Sequence, residues 1–169
     1  MTLQKIFNRV ADWNEARYPR EYDHTLTRAL LDEELQELND AKTPVDKLDA
    51  LCDITYVAYG ALWKLGVSNL TIGRHKTLAF QIYGLKETGY EQQLHAVANA
   101  AIEMMGANFL GFSEAKILKA RCIVCDSNDS KTVKMTDPTV KANIDKGAKF
   151  IAPEPRLNRL LKGDAIWKI

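Results

Sequence analysis

Apolar side chains recur at three- and four-residue intervals along most of the chain, a spacing that predicts amphipathic helices. The pattern predicts a first helix over residues 2–17, which must end before Pro19 because a residue preceding proline is pushed out of the helical region. A second helix is predicted from about His24, with Asp23 or Thr25 as its N-cap. The apolar face of the first helix consists of Leu3, Ile6, Phe7, Val10, Ala11 and Trp13.

A third helix follows after a break at residues 41–45, with Asp46 as its predicted cap and Gly66 as its end. Between residues 51 and 65 it is apolar on nearly every side, so we expect it to be buried on several sides. Because the break is short, the second and third helices are predicted to be antiparallel neighbours. A helix so apolar also predicts completion by a second copy, as a homodimer or dimer of dimers.

Each of these two helices carries a patch of carboxylates. Glu33 and Glu37 lie on one face of the second helix, with Glu34 one step around it. Asp49 and Asp53 share a face of the third. Facing patches repel one another, so such a cluster needs a cation or solvent between its members, and an all-oxygen site selects Mg²⁺ or Mn²⁺ over zinc. The alternative is that these residues form the solvated outer faces of two ordinary helices.

The remaining chain is less regular. Residues 67–111 contain a loop-like part and then an amphipathic helix from about Glu91 to Leu110. A further helix is predicted from its N-cap Ser113 to about Asp126. Asn128 and Lys131 would then lie at an exposed junction. Residues 134–169 are rich in Pro, Gly and Lys, which indicates an irregular tail with a short helix near 156–161.

Composition excludes several classes of protein. The formal net charge is +1, but residues 1–60 carry 7 basic and 12 acidic side chains and the remainder 16 and 10, so the first part suits a cation and the second an anion. This balance predicts no nucleic-acid partner. No apolar stretch approaches the roughly 18 residues of a membrane span and no signal peptide is recognisable, which predicts a cytoplasmic protein without a membrane partner. Three cysteines do not form a secreted disulfide framework, and the single CxxC at Cys122 and Cys125 is interpreted as structural thiols.

The motif Glu33-Glu34-x-x-Glu37, followed by the helical run from Asp53 to Gly60, resembles the MazG-like superfamily of all-α nucleoside triphosphate pyrophosphohydrolases. That superfamily includes phosphoribosyl-ATP pyrophosphohydrolase and the dimeric dUTPases. In two further segments the chain resembles the phosphoribosyl-ATP-hydrolase-like branch: the Ser-Asn-x-x-Lys box at residues 127–131 and the tail at residues 149–155.

One feature departs from this family. The family's second acidic helix reads Glu-x-x-Asp, whereas the position three before Asp53 is Ala50, and Asp49 is one residue out of that register. The number of metal ions is therefore left open. The segment 67–111 is an insertion relative to the short enzymes of the family.

The resemblance implies a single all-α domain over residues 1–169, a helical bundle that hydrolyses a nucleoside triphosphate between its α and β phosphates with Mg²⁺. In this interpretation Glu34, Glu37, Asp49 and Asp53 hold the metal, Glu33 orients or deprotonates water, and Asn128 and Lys131 hold substrate phosphate or sugar. Two alternatives remain. The loss of a carboxylate at Ala50 favours a catalytically weakened nucleotide-binding or assembly protein, and the Ser-Asn-x-x-Lys box favours a phosphoribosyl-ATP pyrophosphohydrolase.

Overall fold

The structure, a computed structural model, describes residues 1–71, 82, 89–106, 110–133, 144–145 and 147–163. Within these ranges it contains six helices, which confirms the predicted all-α class: α1 Leu3–Glu15, α2 His24–Asp40, α3 Pro44–Lys64, α4 Tyr90–Met105, α5 Glu114–Asp129 and α6 Glu154–Lys162. Two-residue strands, β1 Thr132–Val133 and β2 Ile144–Asp145, form a short antiparallel ladder. No helix in the described part of the chain is both long and apolar enough to span a membrane.

The starts of α2 and α3 are set by side-chain caps. The carboxylate of Asp23 accepts a hydrogen bond from the backbone N–H of Leu26 at 2.9 Å, so Asp23 is the cap of α2. The predicted cap of α3 is wrong by one turn. Thr43 is the N-cap: its Oγ1 accepts from the N–H of Asp46 at 3.1 Å, and the Asp46 carboxylate accepts from the N–H of Thr43 at 3.1 Å. Asp46 is therefore the reciprocal partner in a capping box.

Helix α3 is the centre of the bundle. It packs against α1, α2, α4, α5 and α6, which together cover its apolar surface. Its side chains at Leu48, Leu51, Ile54, Ala58 and Leu62 are fully buried. The prediction that this helix is buried on several sides is confirmed.

Helix α5 continues one turn beyond the predicted end at Asp126 and reaches Asp129. Two hydrogen bonds stabilise the extra turn. Asn128 Nδ2 donates to the carbonyl oxygen of Val124 at 3.1 Å, and Trp13 Nε1 donates to the carbonyl oxygen of Asn128 at 3.0 Å. The predicted exposed junction is therefore wrong for Asn128, which is only 6% exposed.

The C-terminal segment returns to the bundle. The N–H of Ile151 donates to Ser130 Oγ at 2.8 Å, and Arg156 forms a 2.6 Å ion pair with Asp126 on α5. Leu157 and Leu160 of α6 are buried in the core. The tail is thus ordered as a helix slightly longer than the predicted one, while residues 134–143, 146 and 164–169 of the predicted irregular tail lie outside the described part of the chain.

The predicted insertion is attached to the bundle through α4, which packs along α3. Thr71, near the start of the insertion, is bound to two residues of α4. Asn99 Nδ2 donates to the carbonyl oxygen of Thr71 at 2.9 Å, and the N–H of Thr71 donates to His95 Nδ1 at 3.3 Å. Residues 72–81, 83–88 and 107–109 of this segment lie outside the described part of the chain.

Candidate active site

Helices α2 and α3 bring together the carboxylates that the sequence singles out. Three of these side chains belong to α2 and two to α3, and all five line one pocket of about 520 Å³: Glu33, Glu34, Glu37, Asp49 and Asp53. The loop between the helices has three residues, so the two acidic patches are folded back onto each other. Asn128 and Lys131 line the same pocket. The structure therefore collects all seven predicted site residues at one place.

The carboxylates lie at different depths. Glu34 is only 5% exposed, Asp49 and Asp53 are half-buried, and Glu33 and Glu37 are exposed to solvent. Glu34 therefore belongs to the floor of the pocket and Glu33 and Glu37 to its rim.

Asp49 is held in an environment that disfavours its charged form. Burial, followed by the negative charges of Glu154 and Glu34, raises the pKa of Asp49 from 3.8 to about 7, while the charge of Lys131 opposes this rise. Asp49 Oδ1 is buried and accepts no hydrogen bond from any residue in the described ranges. A buried carboxylate oxygen without a donor is one that a cation would stabilise.

The donor set fits a hard divalent cation, because it consists of carboxylate oxygens. Among the residues that the structure describes, however, no three His, Cys, Asp or Glu side chains are already arranged to hold a metal ion. Mutual repulsion gives a physical reason, since carboxylates with no cation between them lower their energy by separating. The metal-binding roles of Glu34, Glu37, Asp49 and Asp53 remain predictions.

The family pattern places a carboxylate three residues before Asp53. In this chain that position is occupied by Ala50, and the carboxylate is supplied one residue earlier by Asp49. Ala50 is buried in the core at 4% exposure, whereas Asp49 lines the pocket one helical turn before Asp53. Residues four apart on a helix share a face. Asp49 therefore presents its carboxylate to the pocket from the neighbouring register position.

Asn128 and Lys131, which are both predicted to hold the substrate, form a hydrogen bond with each other. Lys131 Nζ donates to Asn128 Oδ1 at 2.8 Å, and the Asn128 amide nitrogen is used by the carbonyl oxygen of Val124. Both ends of the Asn128 carboxamide are thus engaged within the protein. Asn128 holds the lysine at the pocket, and the lysine provides the positive charge.

Glu154 lies in the pocket although no motif in the sequence predicts it as a site residue. This side chain lies in the first turn of α6 and lines the pocket together with Phe150 and Pro153, so the C-terminal segment forms one of its walls. The only local signal is that a Pro-Glu-Pro sequence starts the helix, which says nothing about what the glutamate faces. Its position follows from the docking of α6 through Arg156 and Leu157.

Part of the chain is similar to a known protein family. Residues 2–74 match the family model described as phosphoribosyl-ATP pyrophosphohydrolase, whereas no curated protein and no solved structure matches the chain. The match spans α1, α2 and α3 and so contains all five carboxylates, but it excludes Asn128, Lys131 and Glu154. Residues 2–74 are therefore similar to phosphoribosyl-ATP pyrophosphohydrolases, which are MazG-like nucleotide pyrophosphohydrolases and act on phosphoric anhydrides.

Proposed function

We propose that this protein hydrolyses a nucleoside or deoxynucleoside triphosphate between its α and β phosphates, releasing a nucleoside monophosphate and pyrophosphate, with Mg²⁺ as its cation. The proposal rests on one observation: six carboxylates and two lysines line a single pocket of about 520 Å³ in a chain whose residues 2–74 match this family. The predicted cytoplasmic location is compatible with a nucleotide substrate.

Four carboxylates would hold the cation: Glu34 and Glu37 from α2, and Asp49 and Asp53 from α3. The chemistry that a bound divalent cation supplies is charge neutralisation on the phosphates and a lower pKa for an attacking water. Mn²⁺ has the same preference for oxygen ligands and is expected to substitute.

The protein's own side chains perform the other tasks. The ammonium group of Lys131 binds phosphate oxygens as a point charge and is held in place by Asn128. Glu33 is exposed at the rim, where it orients the attacking water and accepts its proton. The water oxygen then forms a bond to phosphorus as the bridging P–O bond breaks, and the proton leaves through Glu33.

A homodimer or dimer of dimers remains a prediction, but the packing of α3 within one chain removes the argument on which it was based. The sequence suggested that α3 needs covering by a second copy, but α1, α2, α4, α5 and α6 of the same chain pack around it. Light scattering at micromolar concentration tests the oligomeric state directly, and a monomer would remove this part of the proposal.

Pyrophosphate release from the common ribo- and deoxyribonucleoside triphosphates, measured with and without Mg²⁺, tests the activity. We expect Mg²⁺-dependent release from at least one of them and none from the Glu37→Gln variant. Phosphoribosyl-ATP belongs in the same assay, because the matching family model carries that name. Activity on phosphoribosyl-ATP alone would indicate that the protein is a phosphoribosyl-ATP pyrophosphohydrolase. Nucleotide binding without release from any substrate would favour the catalytically weakened protein.

A further inference from the structure

The side chains that line the pocket change from acidic to non-acidic along its length, and the residues of α3 show the direction of this change. Its lining side chains begin with Asp49 and Asp53, continue through Tyr56 and Gly60, and end with Lys64. At 1.5 Å of rise per residue, the seven residues from Asp53 to Gly60 span about 10 Å along the helix. The acidic part of the α3 wall therefore lies about two turns before Gly60, and beyond Gly60 the charged lining residue of α3 is a cation, Lys64.

Helix α2 changes in the same direction. Because it runs antiparallel to α3, Glu37 lies towards the end that contains Asp49, and Leu30 and Leu26 lie towards the end that contains Gly60. Both walls thus pass from carboxylates to side chains without negative charge, which are mostly apolar and include the ammonium group of Lys64 on α3. A ligand that fits this pocket has a polyanionic end, which binds through cations, and an uncharged end.

Aromatic rings line the uncharged end. The ring centroids of Trp13 and Tyr56 are 5.8 Å apart with an interplanar angle of 77°, and those of Trp13 and Tyr18 are 5.7 Å apart. All three residues line the pocket. The indole of Trp13 is fixed by its hydrogen bond to the carbonyl oxygen of Asn128. A rigid aromatic wall favours a flat ring as the occupant.

Asn14 is the polar group at this end. Its side chain lines the pocket, is 7% exposed, and donates one hydrogen bond from Nδ2 to the carbonyl oxygen of Val10 at 2.8 Å. A carboxamide has two N–H donors and a carbonyl acceptor, so with respect to the described residues one donor and Oδ1 remain for a ligand. The hydroxyl of Tyr56, also at this end, is buried without a hydrogen-bond partner among the described residues.

Gly60 gives Asn14 the space that it occupies. A Cβ atom at position 60 would lie 3.2 Å from Asn14 Nδ2 and 3.4 Å from its Oδ1. The first contact is tighter than a Cβ normally makes and the second is at the limit of ordinary contact, so a methyl group there would shift the carboxamide by a few tenths of an ångström. The pair therefore sets the position of a donor and an acceptor beside the aromatic wall.

We propose that the aromatic end of the pocket is a nucleobase subsite and that Asn14, seated on Gly60, is the residue that discriminates between bases. The proposal rests on the proposed function, since it takes the acidic end as the triphosphate site. Each base presents adjacent donors and acceptors on its edge, which a carboxamide can bind as a pair. A base whose edge does not match leaves these buried polar groups unpaired and is rejected.

Isothermal titration calorimetry with non-hydrolysable α,β-imido analogues of the adenine, guanine, cytosine, uracil and thymine triphosphates tests this subsite, with Mg²⁺ present throughout. Inorganic tripolyphosphate is the probe that lacks a base. We expect at least one analogue to bind the wild-type protein about tenfold more tightly than tripolyphosphate. Asn14→Ala should remove most of the preference among bases, Gly60→Ala should reduce it, and both should leave tripolyphosphate affinity unchanged.

Asn8→Ala is the matched control, because Asn8 is an exposed asparagine on the same helix that does not line the pocket. It should bind all probes as the wild type does. Asn14→Asp is a second variant, which keeps the shape and Oδ1 of the side chain, replaces its N–H donors, including the donor to Val10, with an acceptor and adds a negative charge; it should also lose the base preference. Circular dichroism confirms that each variant is folded.

Two outcomes would overturn the subsite: equal binding of all analogues and tripolyphosphate by the wild type, or unchanged base preference in folded Asn14 variants. Failure of the proposed function is distinguishable. If the analogues are discriminated by base but no triphosphate is hydrolysed, the activity is wrong and the subsite stands. If hydrolysis proceeds equally with every base in wild type and Asn14→Ala, the activity stands and the subsite is wrong.

Discussion

Lys131 Nζ donates a 2.8 Å hydrogen bond to Asn128 Oδ1, and this contact holds the ammonium group of the lysine in a pocket lined by carboxylates. The backbone carbonyl of Asn128 accepts in turn from the indole of Trp13, so the position of the lysine depends on the packing of α1 against α5. A lysine that is part of such a chain of contacts has a defined place beside the carboxylates.

Replacement of Lys131 by methionine keeps the length of the side chain and removes its charge. We expect kcat/KM for triphosphate hydrolysis to fall by about 10²-fold, as is typical when one donor to a charged transition state is lost. The melting temperature should hardly change. Lys119→Met, at an exposed position of α5, is the control and should retain full activity. Full activity in Lys131→Met would remove this residue from the site.

Glu37→Gln and Asp53→Asn each remove one negative charge from the pocket at nearly constant shape. We expect hydrolysis to fall by about 10³-fold or more, because the chemistry supplied by the cation accounts for several kcal/mol of the barrier. Mg²⁺ binding, measured by calorimetry, should weaken in parallel while circular dichroism shows an intact helical fold. Asp40→Asn, an exposed carboxylate of α2 away from the pocket, is the control. Retention of Mg²⁺-dependent hydrolysis in either site variant counts decisively against these assignments.

The stability of the metal-free protein should depend on pH through Asp49. Its carboxyl has a pKa of about 7 in the folded protein because of burial and the charges of Glu154 and Glu34, compared with an ordinary value of 3.8. Between these values the folded state holds a proton that the unfolded state has lost, so the free energy of unfolding falls as pH rises through this window and levels off above about pH 7. From pH 5.5 to pH 8 the loss should be about 2 kcal/mol.

Urea unfolding in EDTA at several pH values measures this effect, with Asp49→Asn as the reference that lacks it. Burial of His95 lowers the pKa of its imidazole, which works in the opposite direction, but His95 is present in both proteins and its effect cancels in the comparison. Identical pH profiles for wild type and Asp49→Asn would show that this carboxyl is ionised normally.

Glu154→Gln tests whether the C-terminal segment acts on the pocket. The charge of Glu154 raises the pKa of Asp49 more than that of any other charged neighbour, so its removal should move the pKa of Asp49 back towards the ordinary value. A carbon-detected NMR titration of the Asp49 carboxyl in EDTA reads this shift directly. Glu114→Gln, the equivalent first-turn glutamate of α5, is exposed and does not line the pocket, so it should leave the titration unchanged. An unchanged titration in Glu154→Gln would place the two carboxyls out of electrostatic contact.

Much of the helical architecture could be predicted because it depends on local properties. The apolar periodicity of residues 2–66 located α1, α2 and α3 to within a few residues, and the acidic faces of α2 and α3 followed from the geometry of a helix. The short break between them was enough to predict that the two faces meet. The wrong cap predicted for α3 also has a local cause. Thr43 and Asp46 each accept a hydrogen bond from the backbone N–H of the other, so either residue resembles a cap.

The sequence by itself determined the helical class, the pairing of α2 with α3 and the five carboxylates between them, because spacing along a helix is set by the chain's own geometry. Only the tertiary structure decided that Asp49 lines the pocket while Ala50 enters the core, and that Glu154 and Asn14 belong to it as well. These placements depend on contacts between residues distant in the chain, such as Arg156 with Asp126, and Trp13 with Asn128, which are 115 positions apart. No periodicity along the chain encodes which distant helix a side chain will meet, so that information appears only when the bundle is packed.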